Sequence, residues 1–105
     1  MSRERPSAEP FLETLAIHAG QEPDPLHGGV MPNIVLSTTF AQPEPGKPLR
    51  FDYSRSGNPT RQSLEACLAA LEHAAFGFAF ASGSAAATTL LHTLAPGDHV
   101  VCGDD

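Results

Sequence analysis

Nine of the ten prolines lie within the first 59 residues, and that placement restricts the fold more than any other feature of the sequence. Proline has no N–H for a helix interior or a sheet ladder, and its ring fixes φ, so a stretch punctuated this densely cannot sustain long regular elements. Residues 1–10 read as a disordered lead. Phe11, Leu12, Leu15 and Ile17 recur at roughly helical spacing with Glu13 and Thr14 on the polar side, which predicts a short helix ending near Gly20. Residues 21–29 and 42–48 are loop chemistry, and the β-branched run Asn33-Ile34-Val35-Leu36-Ser37-Thr38-Thr39-Phe40 predicts an extended segment between them. So long a stretch without periodicity has no evident way to bury itself on its own domain. We therefore expect residues 1–58 to be a partly extended arm that packs on a neighbouring subunit.

The pattern of a packed domain begins at Pro59. Leu64, Cys67, Leu68 and Leu71 stand at i, i+3, i+4 and i+7, leaving Arg61, Gln62, Glu65 and Glu72 available to solvent, so a helix is predicted here. Gly77 ends it, Phe78-Ala79-Phe80-Ala81 predicts a buried strand, and residues 84–94 predict a second helix with Leu90, Leu91 and Leu94 as its apolar stripe. After the turn Pro96-Gly97-Asp98, residues 99–102 predict another strand. Strand, helix, strand in this compass is a βαβ unit with parallel strands and a right-handed crossover, and such sheets bind ligands at the carboxyl ends of their strands. A core drawn from residue 64 onward alone is marginal by size. The apolar run into Gly103-Asp104-Asp105 reads as a truncation.

A formal charge of −6 with six basic residues excludes an electrostatic nucleic-acid or acidic-membrane partner. Cys67 and Cys102 are too few for a disulfide framework and read as buried reduced thiols. No apolar segment resembles a leader or a membrane span, which points to a soluble protein in a reducing, cytoplasmic setting. The five histidines are scattered without metal-ligand spacing, so no metal site is expected.

Two stretches carry anion-binding chemistry. In Tyr53-Ser54-Arg55-Ser56-Gly57-Asn58-Pro59-Thr60-Arg61, arginine offers a rigid donor fork, tyrosine a directed hydrogen bond and Gly57 a permissive backbone. Asn58 reads as the N-cap of the following helix and Pro59 as its first residue. A plain surface loop would instead pair Arg55 with Asp52 or Glu65, an exposed contact worth little. The second stretch is Ser82-Gly83-Ser84, where the amides of Gly83 and Ser84 and the helix dipole could stabilise a phosphate. A capped strand-to-helix turn without a ligand fits those residues equally well. Neither a Walker A loop nor Gly-x-Gly-x-x-Gly is present. Lys47 is the only lysine, but Gly46 and Pro48 leave it in a polar loop where nothing lowers its pKa, so it reads as solvated. Asp104 and Asp105 read as an acidic strand end.

These motifs, with Phe80-Ala81-Ser82-Gly83-Ser84-Ala85-Ala86 and the run from Gly97 to Asp105, resemble the N-terminal part of the Cys/Met-metabolism PLP-dependent enzymes of transsulfuration. Ala16-Ile17-His18-Ala19-Gly20-Gln21 and Leu36-Ser37-Thr38-Thr39-Phe40 also match, so the resemblance covers nearly the whole chain after Pro10. It implies an α/β architecture, the aspartate-aminotransferase-like PLP-dependent transferase fold. Residues 1–58 would be its N-terminal arm, and residues 59–105 the beginning of the mostly parallel sheet of its PLP-binding domain. It further implies pyridoxal 5′-phosphate as cofactor, an amino-acid substrate and a homotetramer built from tight dimers.

By the same resemblance, Tyr53 and Arg55 reach across the dimer to the phosphate of the neighbour's cofactor, while the backbone of Gly83 and Ser84 binds the phosphate of the chain's own. The family commonly has Met or Leu where Ser84 stands, a change that a backbone contact tolerates. Its ring-stacking tyrosine, Schiff-base lysine, pyridinium-pairing aspartate and substrate-carboxylate arginine fall beyond Asp105. No catalytic residue is therefore expected in these 105 residues, and the chain alone is expected to be inactive. The resemblance implies a carbon–sulfur lyase, nearest the branch that cleaves cystathionine to cysteine by γ-elimination. Cystathionine synthesis, γ-elimination from methionine and O-acetylhomoserine sulfhydrylation are the alternatives within the family. A self-contained phosphoanion-binding module without catalysis is the alternative outside it.

Overall fold

A computed structural model of the chain describes residues 10–103, which carry three helices: α1 (Leu12–His18), α2 (Pro59–Leu71) and α3 (Gly83–Leu91). Helix α1 has no side-chain cap and is held instead by tertiary contact, its end lying against α2. Gly20 makes that approach possible. Its φ of +70° is left-handed, and a Cβ there would come within 2.5 Å of the Ser63 carbonyl oxygen.

Helix α2 starts where the sequence predicts it. Asn58 Oδ1 accepts from the Thr60 amide at 2.9 Å and the Arg61 amide at 3.4 Å, and Pro59 fills the first helical position, where no N–H is needed. The arm crosses this helix start and is tied to it by polar contacts. The Val35 amide donates to Thr60 Oγ1 at 2.9 Å, Thr60 Oγ1 donates to the Asn33 carbonyl at 3.3 Å, and Asn58 Nδ2 donates to the Val35 carbonyl at 3.3 Å. Hydrogen bonds thus span the expected arm–domain boundary at residue 58.

Helix α3 begins at Gly83 rather than 84 and ends at Leu91 rather than 94. Turns close it beyond that point through the Thr93 and Leu94 amides, which donate to the Leu90 and Leu91 carbonyls. The 95–98 turn forms as the sequence predicts, with the Ala95 amide donating to Asp98 Oδ2 at 2.7 Å.

The two strands expected at 78–81 and 99–102 do not form among the described residues. The only β-pairs there are the isolated antiparallel bridges Thr39–Tyr53 and Glu44–Lys47. A strand exists through its partner, and here the Ala79 amide donates to Glu65 Oε1 at 3.0 Å, while among the described residues no backbone partner reaches residues 99–102. Phe78 is 76 % exposed, so the expected burial is corrected as well. No described residue is buried; Cys67 is half-buried and Cys102 exposed, which corrects the reading of both thiols as buried. The radius of gyration, 18.7 Å, exceeds the roughly 13 Å of a compact 100-residue domain. The chain is an open arrangement of helices and loops, and no helix among the described residues is long and apolar enough to cross a membrane.

Candidate functional site

The 53–57 loop is a backbone turn fastened from both sides. The Tyr53 carbonyl accepts from the Ser56 amide at 3.0 Å, the Gly57 amide at 2.9 Å and the Ser56 hydroxyl at 2.8 Å. Asp52 Oδ1 accepts from the Ser56 hydroxyl at 2.8 Å and the Tyr53 amide at 2.7 Å. These bonds, the hydroxyl's first, hold the Asp52 carboxyl below its ordinary pKa of 3.8. The Ser54 amide donates to the Thr38 carbonyl at 2.8 Å and the Phe40 amide to the Asp52 carbonyl at 2.9 Å, which anchors the loop on the extended arm.

Within this loop the structure brings Tyr53 and Arg55 together. The guanidinium lies 4.5 Å above the centroid of the Tyr53 ring. Among the described residues it makes no ion pair and donates no hydrogen bond. Neither acid that a plain surface loop would give it is its partner: Asp52 accepts from Ser56 and Tyr53, and Glu65 pairs with Arg61 at 3.5 Å. Arg55 is therefore an exposed cation held over a half-buried aromatic ring, with its donor fork unused.

Gly83 and Ser84 stand at the start of α3. Ser82 caps the helix by accepting the Ala85 amide on Oγ at 3.1 Å, and its carbonyl takes the Ala86 amide at 3.1 Å. That leaves the amides of Gly83 and Ser84 without acceptors among the described residues. A Cβ built on Gly83 would meet nothing within 4 Å, so the space beside its Cα is open. No hydrogen bond joins this turn to Tyr53 or Arg55. Two concavities of about 480 and 520 Å³ lie along the bends of the arm, and none of the four candidate residues lines either one.

Lys47 Nζ pairs with Glu44 across an exposed turn, which agrees with its reading as a solvated loop amine. Asp104 and Asp105 lie outside the described residues.

One residue differs from its expected role. Arg61, read as solvent-facing, is only 33 % exposed and folds back onto the loop. Nη1 donates to the Ser54 carbonyl at 3.2 Å, and Nη2 donates to the Ser56 carbonyl at 3.1 Å and the Arg55 carbonyl at 3.5 Å. Side chains in the first turn of a helix lean toward its N-terminus, and that lean is the signal that could have placed Arg61 beside the loop.

The chemistry on offer is oxyanion binding: one free guanidinium beside a phenol, and two free amides at a helix start. Residues 13–105 match the family described as Cys/Met metabolism PLP-dependent enzyme. The chain belongs to that family. It is 55 % identical over 94 residues to the cystathionine β-lyase of Coxiella burnetii, covering 90 % of this chain and 24 % of that protein. It is 54 % identical over 93 residues to the cystathionine γ-lyase of Bos taurus, covering 88 % of this chain and 23 % of that one. Its fold superposes on the crystal structure of metB from Corynebacterium glutamicum with a TM-score of 0.81 at 46 % identity, covering 87 % of this chain and 24 % of that one. This family member thus spans about a quarter of the length of the relatives it matches. The cofactor of the family, and of this member, is pyridoxal 5′-phosphate, and the unengaged donors at Arg55, Gly83 and Ser84 suit its phosphate.

Proposed function

We propose that this chain is the phosphate-binding N-terminal part of a cytoplasmic PLP-dependent carbon–sulfur lyase that cleaves cystathionine to cysteine by γ-elimination. The similarity to a γ-lyase supports γ-elimination, and the equally strong similarity to a β-lyase makes β-elimination the second reading. When bound, the cofactor supplies the electron sink that makes carbon–sulfur cleavage accessible. Arg55 gives the phosphate a charge-assisted pair of hydrogen bonds, Tyr53 adds one from its hydroxyl, and the Gly83 and Ser84 amides receive a phosphate at the dipole end of α3. Tyr53 and Arg55 act in the neighbouring subunit's site and Gly83 and Ser84 in the chain's own, within a dimer of dimers. Lys47, paired in a solvated turn, is not the residue that holds the cofactor covalently. The chain by itself is therefore inactive.

The observation that carries this reading is the Arg55 guanidinium, unpaired with any carboxylate among the described residues and stacked on Tyr53. In the full-length protein, Arg55→Ala should weaken cofactor binding by about 1.5–3 kcal/mol, as loss of a charge-assisted hydrogen bond does, while Lys47→Ala leaves it unchanged. Cofactor titration into apo-protein measures both, and equal affinity for wild type and Arg55→Ala would sink the assignment.

A further inference from the structure

Helix α2 carries two side chains, one turn apart, that bind the backbone on either side of it. Arg61 takes the carbonyls of three consecutive loop residues, Ser54, Arg55 and Ser56, while its Nε lies 3.5 Å from Glu65 Oε1. That same Glu65 oxygen accepts the Ala79 amide at 3.0 Å, three residues ahead of the Ser82 cap. Close approach permits this second contact: a Cβ on Gly77 would come within 2.4 Å of the Glu65 carbonyl oxygen. Both side chains are mostly shielded, at 33 % and 22 % exposure, which distinguishes them from a freely solvated surface pair.

We propose that Arg61 and Glu65 are positioning residues for the phosphate clamp. They set the path of the 54–56 backbone, and with it the placement of the Arg55 guanidinium over Tyr53, while holding the 77–79 segment that leads to Ser82. The inference rests on Tyr53 and Arg55 being phosphate ligands. The grip depends on shape as well as charge. A guanidinium presents donors from several nitrogens in one plane, so it can satisfy three carbonyls and a carboxylate together, whereas a lysine ammonium on a flexible stem cannot hold that geometry. Arg61 reaches loop carbonyls and does not touch the Arg55 side chain, so its effect on phosphate binding passes through the loop backbone.

The test uses the full-length protein and its variants Arg55→Ala, Arg61→Lys, Glu65→Gln and Arg55→Ala/Arg61→Lys. Each is titrated in apo form with pyridoxal 5′-phosphate and, separately, with pyridoxal, which lacks the phosphate. Arg61→Lys is expected to weaken pyridoxal phosphate binding about tenfold or more and to leave pyridoxal binding unchanged. The double variant should bind within about twofold of Arg55→Ala alone, because the hydrogen bonds of Arg61 go only to the carbonyls of residues 54–56, and their effect on the phosphate is spent once the guanidinium they place is gone. Unchanged phosphate-ester affinity in Arg61→Lys, equal loss for both ligands, or multiplying losses in the double variant would each overturn the inference while leaving Arg55 as a ligand. If Arg55→Ala alone has no effect, the parent reading falls, and this one with it. Should Arg61→Lys fail to fold, Glu65→Gln paired with Arg55→Ala runs the same cycle under the same criteria. Its amide oxygen still accepts from Ala79 while the charge facing Arg61 is lost.

Discussion

At Asp52, a carboxylate that the sequence offers only as a partner for Arg55 serves instead to hold the loop beneath it. Because the Ser56 hydroxyl and Tyr53 amide favour its ionised form, the folded loop binds a proton less readily than the unfolded chain. The stability these bonds contribute is therefore complete above the ordinary value of 3.8 and is lost as pH falls through the lower folded value. Tyr53 is the sole tyrosine and the chain has no tryptophan, so tyrosine emission reports this loop alone in the isolated chain. The emission should stay constant on acidification until pH drops below 3.8, and Asp52→Ala should show the acid-state emission already at neutral pH. An Asp52→Ala spectrum that matches wild type at neutral pH would remove Asp52 from the account. Arg61 teaches the complementary lesson. Its place on α2 was legible and its role was not, since one helix's periodicity cannot show which carbonyls another segment will bring to it.

Among the elements, the helix starts were the most legible. Asn58-Pro59 is read directly as a helix start because a cap is a contact between residues two or three apart, contained in the local sequence, whereas the second start is read one residue late, at 84, and its Ser82 cap is seen in the structure. Strands 78–81 and 99–102 do not form among the described residues for the opposite reason, since β-branched and aromatic residues make a segment suited to a ladder but cannot supply the neighbouring strand. The α1–α2 junction gives a test at this scale. Gly20 and Gly28 have nearly the same left-handed φ, +70° and +68°, yet a Cβ on Gly20 meets the Ser63 carbonyl oxygen at 2.5 Å and one on Gly28 meets nothing within 4 Å. In the full-length protein, Gly28→Ala should cost only the backbone strain, about 1–2 kcal/mol, and Gly20→Ala distinctly more, read from their denaturation midpoints. Equal losses would show that α1 does not rest on α2.

For the whole molecule, the question is which subunit the clamp serves. If Tyr53 and Arg55 act across a dimer, a hybrid is informative that pairs an Arg55→Ala subunit with one lacking the cofactor-bearing lysine. Its lysine-bearing site receives an intact Arg55 from the partner, so the hybrid should keep about half of the wild-type activity. Almost none remains if Arg55 works within its own chain. The loop's ties bear on this arrangement, because Asn58 Nδ2 donates to Ser54 Oγ and Arg61 to the Ser54 and Ser56 carbonyls, fastening the clamp-bearing loop to the start of its own helix α2 while Arg55 stays exposed. The lack of any buried side chain among residues 10–103 also has a thermal consequence. Heat-capacity change and denaturant sensitivity both grow with the surface newly wetted on unfolding, and here little dry surface exists to be wetted. Heated alone, these residues would loosen along a slope, with little latent heat and no sharp midpoint.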